Sequence, residues 1–353
     1  MLYHARAPVR VDPAGGGTDA PPFCVDYGGD VVNFTIQRHV FASVCRLEKG
    51  SGIALIAQDL DESVGADSIE SLPPDKLTFL QAFIRRLVPA DESVLLITQS
   101  DIPASSGMGG SGALGVAVVA ALDRAFKVER SPYETASLAN DIERIDLGQA
   151  GGDQDSMGAA LGGFNHLEYR QGDGKTIAHR VDVEDGLRLT IERDSLLIYT
   201  GEAHLSGSIH EDIKASYAQE NSPTVAAMQE LRTSAREMVR ALQEGSLDSY
   251  TACMNRACDN LYRLHPSCDS DSHQELCKEL DPYILSRKTC GAGGGGFILV
   301  HANPGCRFEC KQRAEARGAL VWPVTIDFAG VRSWEGAPLD PEELESMLHS
   351  CRA

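Results

Sequence analysis

The stretch Asp101–Leu122, DIPASSGMGGSGALGVAVVAAL, sets a proline and a run of glycines and serines directly against ten residues of almost pure alanine, valine and leucine. Glycine destabilises a helix interior and permits a sharp bend, whereas 113–122 holds little that would end a helix. The chain is therefore expected to turn tightly and then enter a buried helix near Ser111. At such a junction the first amide hydrogens of the helix lack an internal partner and the dipole is positive, which suits an anion such as a phosphate.

Working outward, residues 93–100, SVLLITQS, read as a strand that feeds the glycine loop, and 75–88, with apolar residues at helical spacing behind Pro73-Pro74, reads as a helix. Residues 6–46 read as a set of strands around one irregular, glycine-rich loop. Beyond the buried helix, Ser131, Pro132 and Glu134 form a capping box, which places Glu143 on the last turns of a well-started helix. Strands are expected near 187–200, long helices at 223–244 and 248–263, a helix at 306–316, a strand in ALVWPVTI and a last helix at about 341–351. Strands and helices out of simple alternation favour an α+β class over a doubly wound sheet.

The totals narrow the function classes. At 353 residues two packed domains are expected, 1–200 and 201–353, and 42% hydrophobic with 24% charged residues is the composition of a globular protein. The formal charge of −19, from 51 acidic against 32 basic residues, repels a polyanion, and the densest basic pair is Arg85-Arg86 within a helical pattern. Nucleic acid is not an expected partner. The longest uncharged apolar run falls well short of the ~20 residues that a membrane span requires. The opening MLYHARAPVRV lacks the apolar core of a signal peptide. Ten scattered cysteines form no CxxC pair, which fits reduced thiols in the cytoplasm. His265, Cys268, His273 and Cys277 have a spacing loosely like a zinc knuckle, but the segment also reads as a turn and an amphipathic helix, and a chain of this length needs no metal staple. His4, His39 and His166 belong to no motif and are expected to be structural or superficial.

Three glycine-rich stretches, VDPAGGGTD, SSGMGGSG and CGAGGGG, lie far apart in the chain. Any one of them alone marks only a bulge or turn. Together and in this order they resemble the three motifs of the GHMP kinases, the group named for galactokinase and the homoserine, mevalonate and phosphomevalonate kinases. GGGTDAPP, GGDVVN, GGDQD, GGFN and YTG are most similar to the bacterial kinases of D-glycero-D-manno-heptose 7-phosphate. RVDPAGG and DPYILSRKTCGAGGGGF also resemble the kinase portion of L-fucokinases.

The resemblance implies an N-terminal ribosomal-protein-S5-like domain that binds ATP and a C-terminal ferredoxin-like domain of helices on a sheet. It implies a sugar kinase acting on an anomeric hydroxyl, with ATP held along Ser105, Ser106, Gly107, Met108, Gly109, Gly110, Ser111 and Gly112. Mg²⁺ would be held by Ser111 and Glu143, and two protein oxygens suffice for a metal that keeps waters and phosphate oxygens. Asp155 would take the proton of the attacking hydroxyl, Arg10 would steady the moving phosphoryl, and Asp19 would grip the sugar with Gly17, Thr18, Gly152, Gly201, Gly293 and Gly294. Phosphoryl transfer asks a protein mainly for this kind of positioning and charge neutralisation.

Simpler readings stand beside these. Ser111 or Asp155 could cap a helix, Glu143 could be a solvated charge beside Arg144, and Arg10 could pair with any buried carboxylate. The chain also departs from the resemblance. Ser111 stands alone between glycines, His204 replaces an expected arginine, and QDSM replaces the usual Gln-Tyr after the aspartate. The last two changes fall on the acceptor pocket. A small sugar or sugar phosphate is the expected partner, a homodimer is compatible with the sequence, and a sensor that binds ATP and sugar without turnover is the alternative of another class.

Overall fold

The computed structural model describes residues 1–202, 206–219 and 222–352. His204 lies outside them.

Two long antiparallel strands, β1 (Leu2–Ala14) and β2 (Gly29–Arg46), form the backbone of the first sheet. The expected glycine-rich loop among the strands is the connection 15–22, which leads into the short helix α1 (Phe23–Tyr27). A hairpin of β3 (Ile53–Ala57) and β4 (Glu62–Ala66) follows. Next come α2 (Thr78–Leu87) and β5 (Val94–Ser100), and β5 inserts between β2 and β3. Alternation along β5 separates two faces: Val94 and Leu96 enter the main core, while Leu95 joins Cys45 and Ala54 in a smaller cluster on the other side.

The expected buried helix is α3 (Gly110–Phe126), apolar almost all round and packed against β1 and β2. Such a helix has no face to give to water. The capping box of α4 (Pro132–Asp141) is formed: the Ser131 hydroxyl accepts from the Glu134 amide and the Glu134 carboxylate accepts from the Ser131 amide. At its end the helix widens into one π turn, Ile142–Asp146, closed by the Leu147 amide on the Ile142 carbonyl at 3.1 Å. After it come α5 (Gln154–Leu161), β6 (Phe164–Tyr169) and β7 (Thr176–Arg180). β2 is long enough to pair with β5 along its second half and with β6 along its first.

The expectation of strands over 187–200 holds only for its second half. Residues 185–194 form a helix, α6 (Asp185–Asp194), because the Glu184 side chain caps it by accepting from the Leu187 amide, and Leu187 and Ile191, four apart, bury one face. β8 (Ser195–Tyr199) follows directly. Then come α7 (Ser206–Tyr217), α8 (Pro223–Glu244), α9 (Leu247–Tyr262) and α10 (Asp271–Leu280). The chain continues through β9 (Ile284–Thr289), β10 (Phe297–Ala302), α11 (Arg307–Ala316), β11 (Leu320–Pro323), β12 (Arg332–Glu335) and α12 (Pro341–Arg352).

A second antiparallel sheet runs β11-β8-β10-β9. Leu196, Ile198, Ile298 and Val300 pack against α10 and α11 on one face, and Leu197, Phe297 and Leu299 join the main core on the other. Strand pairing crosses a division of the chain at residue 200. β8 belongs to the second sheet, and β12 returns to the first, where it pairs with the outer edge of β1 while α12 covers β3 and β4.

Candidate functional site

The site lies where β1, the start of α3, the start of α5 and the loop after β9 converge. At the head of α3, Gly109 takes a left-handed φ of 70° and no side chain caps the helix. Helical hydrogen bonding begins with the Ala113 amide on the Gly109 carbonyl at 3.0 Å, so the preceding amides are free to meet an anion. Ser106, buried in the same loop, has a hydroxyl with no partner among the described residues.

Arg10 reaches this loop from β1. The register between β1 and β2 shifts between Pro8 and Arg10, and the Arg10 amide turns to the Met108 carbonyl at 3.3 Å. Such an irregularity re-aims a strand residue. The Arg10 guanidinium donates to the Gly107 carbonyl at 2.5 Å and to Asp155 Oδ1 at 2.8 Å through Nε, with a second nitrogen 2.6 Å from the same oxygen. Arg10 is 5% exposed and Asp155 29%, so the carboxylate still faces the cavity.

Asp155 is not the cap of α5. It sits in the first turn, after the cap position Asp153, and its side chain belongs to Arg10. A β-carbon added to Gly109 would lie 2.9 Å from Asp155 Cγ. The anion-binding loop and the candidate base are therefore in direct contact.

Glu143 is not a solvated charge. It stands on the π turn, a kind of irregularity frequent at functional sites, and accepts a hydrogen bond from the Ser111 hydroxyl. Burial pushes its carboxyl up to about 7, and Asp155 adds to the rise. Hydroxyl and carboxylate are hard oxygen donors, and a desolvated acid beside a second carboxylate is the electrostatic setting a divalent cation relieves. The pair fits Mg²⁺. No cluster of three or more His, Cys, Asp or Glu side chains placed to hold a metal occurs among the described residues. In the cysteine–histidine segment, His273 is buried against the Gly296 carbonyl at 3.1 Å and Cys268 is buried.

Asp19 is 5% exposed, accepts from the Gly17 amide at 3.1 Å, and is pushed up to about 7 by burial and by the nearby Asp155 and Asp153. Gly152 is pressed against it: a β-carbon there would fall 1.9 Å from Asp19 Oδ2.

Two cavities meet at this point. The larger, about 570 Å³, is lined by Gly17, Asp19, Glu143, Arg144 and Gly152. The smaller, about 290 Å³, is lined by Ser106, Gly107, Gly109, Gly110, Ile102 and Leu60. Arg10, Ser105, Ser111, Asp155 and His210 line both.

Four expected sugar contacts line neither cavity. Thr18 is fully buried and its hydroxyl donates to the Gly15 and Asp30 carbonyls, so it braces the loop. Gly201 is exposed beyond the cavity. Gly293 and Gly294 fold back on the Cys268 carbonyl, which accepts from the Gly294 amide at 2.8 Å. Gly291 and Ala292 line the cavity in their place. Met108 and Gly112 lie behind the loop and shape it from within.

Sequence reasoning missed the support beneath the third glycine stretch. Lys288, on β9, and Asp12, on β1, are both buried, 3.7 Å apart, and the Gly291 amide donates to Asp12 Oδ1 at 2.9 Å. Asp12 Oδ2 accepts no hydrogen bond among the described residues. Breaking such a pair from one side costs roughly 3–5 kcal/mol. The Phe297 amide on the Ser106 carbonyl, at 2.9 Å, ties the second and third glycine stretches together. His210 went unnoticed, and Arg144 was considered only as a neighbour of Glu143, since neither lies in a motif. Burial lowers the His210 pKa, against the opposing pull of Asp155.

Comparison with known proteins follows the same outline. Residues 77–163 match the GHMP kinases N terminal domain. The D-glycero-alpha-D-manno-heptose 7-phosphate kinase of Campylobacter jejuni is 29% identical over 335 residues, covering 93% of this chain and 98% of that protein. The bifunctional fucokinase/GDP-fucose pyrophosphorylase of Arabidopsis thaliana is 27% identical over 87% of this chain, which spans 30% of that longer protein. Among solved structures, a D-glycero-D-manno-heptose 1-phosphate kinase from Bacteroides thetaiotaomicron superposes with a TM-score of 0.78 at 24% identity, covering 95% of this chain and 100% of the other.

Proposed function

We propose that this chain, whose residues 77–163 match the GHMP kinases N terminal domain and whose fold is that of those kinases, transfers the γ-phosphate of ATP to the anomeric hydroxyl of a heptose, with D-glycero-D-manno-heptose 7-phosphate as the acceptor. The observation that carries this reading is the contact between Asp155 and the loop at Gly109, with Arg10 bridging the two.

In this reading the smaller cavity takes the nucleotide, with its phosphates on the free amides at the head of α3, and the larger cavity takes the sugar. Asp19 accepts hydrogen bonds from sugar hydroxyls. Asp155 takes the proton of the anomeric hydroxyl as that oxygen bonds to the γ-phosphorus and the bond from phosphorus to the bridging oxygen of ADP breaks. Arg10, fixed by the Gly107 carbonyl, offsets charge on the moving phosphoryl without having to reorganise. Ser111 and Glu143 would hold Mg²⁺, which supplies charge neutralisation along the triphosphate when bound.

The partners are small molecules, a reading supported by the size of the two cavities and the charge of −19. A homodimer is compatible with this reading. Ten unpaired thiols and the use of ATP support a cytoplasmic setting, and no helix of the described residues is long and apolar enough to cross a membrane.

The test is ADP release with heptoses, their 7-phosphates, L-fucose, galactose and mannose, followed by phosphorus NMR to locate the new phosphate. The expected result is a heptose 1,7-bisphosphate. Turnover of L-fucose alone would move the assignment to the fucokinase side, and ATP binding without release of ADP would make the protein a sensor.

A further inference from the structure

We infer that Arg144 recognises an anionic group on the acceptor and makes the larger cavity selective for a phosphorylated sugar. The inference rests on the kinase reading above and adds to it a residue that reads the acceptor's remote end.

The larger cavity is acidic, lined by Asp19, Glu143, Asp155 and Glu211. A phosphate entering such a space is repelled unless a cation is held in reserve. Three basic side chains among the described residues line it: Arg10, Arg144 and His210. Arg10 is committed to Asp155 and the Gly107 carbonyl. His210 has its pKa lowered by burial and offers little positive charge near neutrality. Arg144 is left. It is half-buried, and it makes no hydrogen bond or ion pair with any described residue. A buried-edge arginine with no carboxylate on its fork is unusual in a protein with 51 acidic residues, because arginine pairs readily with carboxylates.

The surroundings place this cation on the sugar's side. Arg144 lines the cavity that contains Asp19 and does not line the one walled by Ser106–Gly110. Its field reaches Asp153 and Cys24 near Asp19, as well as Glu143 and His210. The backbone of the same cavity adds donors. The amides of Ala150, Gly151 and Gly152, which line it, donate to no other group among the described residues. A guanidinium and free amides lining one cavity form the donor set that a phosphate monoester takes, through the planar fork on two oxygens and the amides on the third. Lys214, on α7, does not line this cavity; it lines an adjoining one of about 20 Å³ that shares Gly17, His210 and Ile213 with it.

Arg144→Gln and Arg144→Lys, with the wild type, are assayed with heptose 7-phosphate and with the same heptose lacking the phosphate, and heptose 7-phosphate binding is measured by calorimetry without ATP. In the wild type kcat/KM should favour the phosphorylated sugar. Arg144→Gln should reduce that preference on the order of tenfold to a hundredfold, the range for a lost charge-assisted hydrogen bond. The change should lie mainly in acceptor KM, KM for ATP should move far less, and Arg144→Lys should recover part of the preference. An equal fall for both sugars, a rise centred on KM for ATP, or a wild type that prefers the unphosphorylated sugar overturns the inference. If no sugar is turned over, the kinase reading fails by itself; calorimetry then decides, with binding that Arg144→Gln weakens supporting the role of Arg144 and binding that it leaves unaltered refuting it.

Discussion

Gly112 of α3 and Asp155 of α5 approach so closely that a β-carbon on the glycine would stand 2.6 Å from the β-carbon of the aspartate and 2.8 Å from the Ser156 amide. The glycine is thus a spacing element that lets the carboxylate lie against the glycine-rich turn at the head of α3. Gly112→Ala improves helix propensity but must push α5 away. Loss of kcat on the order of a hundredfold is expected, because a displacement near 1 Å has about that effect on a positioned group. Steady-state kinetics beside a thermal melt check it; a stable variant with normal kcat would show that the contact is dispensable.

Asp155→Asn keeps the shape of the side chain and removes its basicity. Turnover should fall by about 10²–10⁴, the usual contribution of a positioned general base. Nucleotide affinity, measured by calorimetry, should stay within a few-fold, roughly the level expected when no nucleotide contact is removed. Near-normal turnover would assign the proton to another group.

Ser111→Ala and Glu143→Gln each remove one hard oxygen from the pair on α3 and the π turn. The Mg²⁺ concentration giving half-maximal rate should rise roughly tenfold or more for Glu143→Gln and less for Ser111→Ala, since the carboxylate supplies charge as well as an oxygen. Identical titration curves for all three proteins would remove the metal from this pair.

Asp19 links stability to pH. Its carboxyl is raised to about 7 in the folded protein from an ordinary value of 3.8, so the folded state holds a proton that the unfolded chain releases earlier. The stabilisation this gives is complete below the unfolded value and is lost as pH rises through about 7. Asp19→Asn should therefore melt at a higher temperature than the wild type at pH 8, by an amount that shrinks to nothing near pH ~4, while its acceptor KM increases. A melting difference that does not vary with pH would contradict the assigned shift.

Much of this was legible in the chain itself, for reasons that differ from residue to residue. The buried helix could be read because Ala113–Leu122 has no polar face, and the capping box at Ser131 because its chemistry is local. Asp155, Ser111 and Glu143 were found through the resemblance of the glycine stretches, and the structure brings them within reach of one another. The π turn that carries Glu143 left no trace in periodicity, since one extra residue in a helical turn alters no pattern of apolar positions. α6 was misread because LRLTI alternates over a window too short to reveal the four-residue spacing of Leu187 and Ile191. The roles of Lys288 and Arg144 were invisible for a different reason. Whether a basic residue is buried, paired or idle depends on segments more than a hundred positions away, such as Asp12 and Asp19.

The return of β12 to the edge of β1 has a consequence for biosynthesis. Leu2–Arg6 leaves the ribosome well before its neighbour in the sheet, Arg332–Glu335, which is translated more than three hundred codons later. Until then the growing polypeptide carries an open sheet border, and the patch on β3 and β4 that α12 covers stays bare. A stop codon anywhere before 332 should thus yield material that clumps or is degraded, even though every residue assigned to chemistry would already have been made.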